Sequence, residues 1–169
     1  MTKRRSKQSK KQQDRTLLIT GIIAAVAVVV VVLLLLTSNN APTNQSECGA
    51  LIAQYNAGGM TTTASGLQYK VLEQGDGPMP VASSTVTAHY RGCLLNGTQF
   101  DSSFDRGQPS SFPLSNVIPG WTEGLQLMPQ GSRFLFYIPA ELAYGAQGSG
   151  NVIPPNSPLL FEVDLLGFQ

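Results

Sequence analysis

Residues able to do acid–base, nucleophilic or metal chemistry are sparse in this sequence, and their spacing excludes more than it allows. His89 is the only histidine, and no second thiol or imidazole stands at metal-ligand spacing from Cys48 or Cys93, the two cysteines. No metal site and no cofactor is therefore expected. From Thr37 onward four basic residues (Lys70, Arg91, Arg106, Arg133) face nine acidic ones, a formal charge of −5, although the whole chain sums to +1. Such a balance argues against nucleic acid as a partner of the domain, because no basic surface remains to track phosphates. What the sequence does concentrate is aromatic side chains among turn residues: Tyr90, Phe100, Phe112, Trp121 and Phe161. Taken one at a time, each reads as ordinary core packing.

The N-terminal segment is a different material. Seven of the eleven basic residues fall in residues 1–16, ahead of an uncharged apolar run from Leu17 to Leu36. As a helix at ~1.5 Å per residue, that run spans roughly the ~30 Å hydrocarbon core of a bilayer. It exceeds the ~7–15-residue apolar core of a cleaved signal peptide, and Thr37-Ser38-Asn39-Asn40-Ala41 makes a poor cleavage site. A retained transmembrane helix over residues 17–36 is expected. The excess of Lys and Arg before it leaves the short tail in the cytoplasm and exports the rest. Export places both cysteines where disulfides persist, which permits a Cys48–Cys93 bond without requiring one. Asn44-Gln45-Ser46 and Asn96-Gly97-Thr98 match a glycosylation pattern, relevant only in a eukaryotic secretory host.

Residues 37–66 are rich in Ser, Thr, Asn, Gly and Ala and read as a solvated linker. Within it Leu51, Ile52 and Tyr55 predict a two-turn helix over residues 48–55, too short to stand unless it packs on something. Gly58-Gly59 should end it. From Leu67 the pattern turns to short apolar runs between Gly, Pro, Asn and Asp, the mark of strands and turns. Strands are expected over Leu67 to Glu73, Ser84 to Leu95, Thr98 to Asp101, Arg133 to Ile138 and Leu159 to Leu166, with Asn96-Gly97 turning a tight hairpin. The near-continuous hydrophobicity of the last two argues for burial on both faces. One helix, about Gly120 to Met128, is bracketed by Pro119 and Pro129 and carries Trp121, Leu125 and Met128 at i, i+4 and i+7. The sum is an α+β domain over residues 67–169, an antiparallel sheet wrapped around one short helix. Ala140 to Pro158 is left as a long surface loop.

Four blocks in order carry a family resemblance: His89-Tyr90-Arg91-Gly92, Gly97 to Ser103, Val117-Ile118-Pro119-Gly120-Trp121, and Ala143-Tyr144-Gly145 followed by Ile153-Pro154-Pro155. With them, residues 67–167 resemble the FKBP family of peptidyl-prolyl cis/trans isomerases, and the entry Thr63 to Tyr69 looks like that of bacterial envelope members. The resemblance implies an enzyme that lowers the barrier to rotation about X-Pro bonds in unfolded or nascent exported polypeptides. That barrier is ~20 kcal/mol because rotation breaks amide resonance. No proton need move, so His89, whose neighbour Tyr90 faces the other way on a strand, is expected to be structural.

By the same resemblance Phe100, Phe112, Val117, Ile118, Trp121, Ile153 and Phe161 line the proline pocket with Tyr90, and Trp121 forms its floor. Tyr144 is the expected hydroxyl donor to the substrate carbonyl. Asp101 stands at the rim, held by the Tyr90 hydroxyl and Arg106. Macrolide inhibitors are implied as further ligands. Two departures bear on specificity. Ser110 stands where many members carry a bulky rim residue, and Gln147 to Val152 is small and polar, so a wetter rim is expected. Cys93 lies outside the family signature.

Overall fold

The computed structural model describes residues 44–169. The basic tail and the expected membrane-spanning run of residues 17–36 lie outside the described residues, and no helix among the described residues is long and apolar enough to cross a membrane. Strands β1 (Thr61–Thr62), β2 (Gln68–Glu73), β3 (Thr85–Leu94), β4 (Gln99–Ser102), β5 (Ser110–Pro113), β6 (Arg133–Ile138) and β7 (Leu159–Phe168) build one antiparallel sheet. Their order is β1-β2-β6-β7-β3-β4, and β5 shares with β4 the edge of β3 that faces away from β7. Strands β1 and β5 were absent from the sequence expectation because Thr61-Thr62 and Ser110-Ser111 carry no apolar alternation to announce them.

The central strands behave as their composition predicts. On β6, Phe134, Phe136 and Ile138 enter one core while Leu135 and Tyr137 enter another on the opposite face. On β7, Leu159, Phe161, Val163 and Leu165 face the first core and Leu160 the second. The first core is closed by α2 (Pro119–Leu125), whose Trp121 and Leu125 are buried. Proline at its first turn costs no hydrogen bond, since that N–H has no intrahelical partner in any case. The helix is shorter than expected. Leu127 N–H and Met128 N–H donate to the carbonyls three residues back, a tightening ahead of Pro129, which disfavours helical geometry in the residue before it. Met128 is buried all the same.

Glycine sets how closely α2 approaches the sheet. A Cβ on Gly120 would lie 2.5 Å from Ile138, and one on Gly124 would lie 2.8 Å from Phe136. Both contacts are shorter than a methyl group allows, so the bare backbone lets the helix rest directly on β6.

The opposite face carries a second helix, α1 (Asn44–Asn56), where the sequence suggested two turns inside a solvated linker. A single helix inside the sheet is thus half of the arrangement. Cys48 and Leu51 bury against Cys93, Leu135 and Leu160, Tyr55 stacks on Tyr137 with ring centroids 4.9 Å apart, and Glu47 pairs with Arg91 at 2.8 Å. Cys48 is bonded to Cys93 in a disulfide across a sequence separation of 45 residues. Cys93, to which the sequence assigns no role, is therefore what fastens α1 to β3. A helix of this length is marginal alone, and its stability comes from these contacts. Gly58 and Gly59, with φ of 77° and 78°, turn the chain out of it.

Closing a loop of that size restricts the unfolded chain by about 2–4 kcal/mol. The double variant Cys48→Ala/Cys93→Ala is accordingly expected to lose stability of that order in urea titrations. Amide exchange should accelerate first in α1, while β6 and β7 remain protected.

Candidate active site

The site grows from the two faces of β3. Residues two apart on a strand point the same way, so Val86, Ala88 and Tyr90 face the first core while His89, Arg91 and Cys93 face away. Gly92 belongs to the Tyr90 side. There it leaves a gap: a Cβ would sit 2.5 Å from the Phe100 ring and 2.8 Å from Phe161, so the two rings occupy the space a side chain would take. They meet edge to face at 5.3 Å.

Regular alternation on β4 would send Phe100 and Asp101 to opposite sides. The register shifts here: Gly92 pairs with Asp101 and Cys93 with Gln99, leaving Phe100 as the extra residue of a bulge. Bulges re-aim side chains, and this one lets Phe100 and its neighbour Asp101 line the same cavity. The hairpin ahead of it differs from the expected tight turn. Only Gly97 takes positive φ, at 89°, and the Asn96 carboxamide oxygen accepts the Thr98 N–H at 3.0 Å.

The cavity holds about 640 Å³, within the range that takes a drug-sized ligand. Ten residues named from the sequence line it together: Tyr90, Phe100, Asp101, Phe112, Val117, Ile118, Trp121, Tyr144, Ile153 and Phe161. Trp121 lies at the centre of the aromatic set, its ring 5.1 Å from each of Tyr90, Phe112 and Phe161, all in edge-to-face contact. Aromatic edges carry partial positive charge and faces partial negative charge, so these walls are apolar without being electrostatically blank. Val117 and Ile118 lead into α2, while Tyr144 and Ile153 come from the long loop. Tyr144 is 40% exposed, whereas Ile153 is buried.

One charged group enters this apolar setting. Asp101 Oδ2 accepts from the Tyr90 hydroxyl at 2.6 Å, and Oδ1 accepts from Arg106 Nη1. Arg106 Nη2 also donates to the Tyr90 hydroxyl at 2.9 Å and to Ser110 Oγ at 3.2 Å. Partial burial alone pushes the Asp101 carboxyl up, but the hydrogen bonds from Tyr90 and Arg106 together outweigh it and hold the group below its usual range. Burial and the neighbouring carboxylate push the Tyr90 phenol up, so it remains a donor. The carboxylate is thus ionised, fixed and half exposed, an arrangement for projecting a field and not for exchanging a proton.

Ser110 does not line the cavity; it serves as a further acceptor for Arg106. From the polar loop, Ser149, Gly150 and Val152 reach the wall, as does Asn116. Asn116 went unrecognised although it directly precedes Val117-Ile118. His89 lies on the far face, stacked on Phe104 at 4.8 Å and hydrogen-bonded to Ser103 Oγ at 2.9 Å. Among the described residues no cluster of His, Cys, Asp or Glu is placed to hold a metal ion.

A methyl group at residue 92 tests how tightly this wall is assembled. Gly92→Ala must displace Phe100 or Phe161, an overpacking expected to cost about 1–3 kcal/mol. Fluorescence of Trp121, the only tryptophan, should shift in the native state; an unchanged spectrum with unchanged stability would show the wall to be looser than described.

Comparison with known proteins agrees with this geometry. The family model for FKBP-type peptidyl-prolyl cis-trans isomerase matches residues 77–166. An FKBP-type peptidyl-prolyl cis-trans isomerase FkpA of Aeromonas hydrophila is 53% identical over 119 residues, 70% of this chain and 44% of that protein. The FKBP-type 22 kDa peptidyl-prolyl cis-trans isomerase of Escherichia coli is 54% identical over 64% of this chain and 52% of its own length. The chain therefore spans about half the length of the curated relatives it matches. Among solved structures, FkpA from Escherichia coli superposes with a TM-score of 0.65 at 38% identity, covering 90% of this chain and 71% of that one. A peptidyl-prolyl cis-trans isomerase from Pseudomonas syringae superposes with a TM-score of 0.64 at 38% identity, over 78% of this chain and 99% of the other. The family model covers more than half of the sequence, and the chain belongs to the FKBP-type peptidyl-prolyl cis-trans isomerase family.

Proposed function

We propose that this chain catalyses cis/trans isomerisation of X-Pro bonds in exported polypeptides. The observation that carries the reading is the aromatic cavity around Trp121 with the Asp101 carboxylate fixed in its wall by Tyr90 and Arg106. Rotation of a prolyl amide involves no bond making, so catalysis reduces to binding the twisted amide better than either planar form. As conjugation is lost the carbonyl oxygen gives up negative charge and depends less on water, so an apolar wall favours the twisted state. The carbonyl carbon, no longer fed by the nitrogen lone pair, gains positive character. A fixed carboxylate stabilises that charge without reorganising. In this reading Trp121 carries the proline ring, Tyr144 donates to the adjacent carbonyl, and Arg106 with Tyr90 holds Asp101 in place.

The second part of the reading concerns place. The apolar run of residues 17–36 after a basic tail supports a membrane anchor with the N-terminus in the cytoplasm and the isomerase domain outside it, on the periplasmic side of a bacterial inner membrane. Exported chains with prolines waiting on slow isomerisation are then the natural substrates. Macrolides of the size the cavity admits are expected to compete with them.

A protease-free isomerisation assay on the full chain in detergent tests the chemistry. Trp121→Ala and Asp101→Val are each expected to lower kcat/KM at least about tenfold, and a wild-type protein without acceleration at micromolar concentration would refute the enzyme. Because the folded-state pKa of Asp101 is depressed, its ionised form persists as pH falls through the ordinary carboxylate value of about 3.9 and is lost only below it. The acid limb of the pH–rate profile should accordingly lie below that value, and in Arg106→Met it should move upward. For topology, an alkaline phosphatase fused after Gln169 should be active in intact cells; cytoplasmic activity of a matching reporter would overturn the orientation.

A further inference from the structure

The loop that carries Arg106 is exposed from Asp105 through Pro109, so burial does little to hold it. What holds it is a chain of side-chain hydrogen bonds that begins on the other face of the sheet. Glu47 in α1 meets Arg91 Nη1 at 2.8 Å, beside the Cys48–Cys93 disulfide. The Arg91 side chain is only 12% exposed; it lies over the Phe104 ring at 5.2 Å and reaches Glu162 at 3.4 Å. Its Nε–H donates to Gln99 Oε1 at 3.2 Å, and Gln99 Nε2 donates to Asp105 Oδ2 at 2.7 Å. Asp105 is tied back to β4 through Ser102, whose hydroxyl donates to Oδ1 at 3.3 Å and accepts the Asp105 N–H at 3.2 Å. The next residue is Arg106, bonded to Asp101 and Tyr90.

We propose that Gln99 and Asp105 are positioning residues, the joint through which α1 and Arg91 fix the Arg106 loop and thereby the Asp101 carboxylate. The donor and acceptor order fits one orientation of the Gln99 carboxamide, oxygen towards Arg91 and nitrogen towards Asp105. Neither residue lines the cavity. Their influence is geometric. A preorganised field acts on the twisted amide only while its carboxylate stays within about 0.5 Å of the productive position. With the joint broken, the loop retains its contacts to Ser102 on β4 and Ser110 on β5 but loses its tie to Arg91 and, through it, to α1.

The inference rests on the isomerase reading for its kinetic consequence and on geometry alone for its structural one, and the experiment separates them. In Gln99→Leu the carbon-detected titration of the Asp101 carboxyl should move up towards about 3.9 as the Arg106 and Tyr90 bonds loosen. On a tetrapeptide substrate, kcat should fall about fivefold or more with KM within about twofold, the signature of an interaction made only in the transition state. The exchange Gln99→Glu/Asp105→Asn keeps net charge and restores the chain, with Glu accepting from Arg91 and Asn donating to Glu, so it should recover both readouts. Wild-type titration and kcat in Gln99→Leu overturns the proposal, as does a loss confined to KM. If Gln99→Leu does not fold, a folded double exchange whose Asp101 titrates away from the wild-type value overturns it equally. An inactive wild-type protein refutes the isomerase and leaves the Asp101 titration to decide the coupling.

Discussion

Alternation along β3 is the constraint on which both halves of the molecule depend. Tyr90 and Gly92 face the cavity, Arg91 and Cys93 face α1, and these four consecutive residues cannot change sides independently. The strand is held by β7 along one edge and by β5 and β4 in succession along the other. A slip of one residue would carry the phenol out of the cavity and the disulfide into it. Two-sided burial of β6 and β7 makes such a slip costly, because their apolar side chains are divided between two cores that each need filling.

Within that frame the site reconciles two opposing demands. In the proposed isomerase reading a proline ring and a twisting amide call for an apolar enclosure, and an apolar enclosure penalises charge. The Asp101 carboxylate is tolerated because it sits at the rim, half exposed, with one oxygen on a phenol and the other on a guanidinium. The same two bonds that offset its desolvation also fix its direction. Apolar surface and directed charge thus come from adjacent residues on one strand, Phe100 and Asp101, through the bulge that lets both line the cavity.

Legibility from sequence followed the range of the interactions involved. Strands β6 and β7 were readable because their burial is written in consecutive residues, and the α2 segment because Pro119 and Pro129 bracket it. The cavity was readable only by family resemblance, since Tyr90, Phe100, Trp121 and Phe161 taken singly are indistinguishable from core aromatics. Helix α1 was readable only in part: Leu51, Ile52 and Tyr55 marked two turns and export permitted a Cys48–Cys93 bond, but its full length and its seat depend on partners in β3, β6 and β7. The bulge at Phe100 and the tie from Gln99 to Asp105 left no local mark, as each depends on how a neighbouring strand or loop is placed.

The glycines that let rings and helix meet have a consequence for how such a chain can diverge. Gly92, Gly120 and Gly124 each stand where a methyl group would overlap a side chain contributed by another element: Phe100 with Phe161, Ile138, and Phe136. A larger residue at any of them is admissible only alongside a smaller one opposite, so neither change is neutral when it arises first. Drift through these positions is restricted to compensated pairs, whereas at Gly150, in the polar loop at the cavity wall, nothing lies within 4 Å of the place a Cβ would take. Replacements that keep the chain folded are therefore coupled across the aromatic wall and the seam of α2 with β6, where a change on one element demands its counterpart on another.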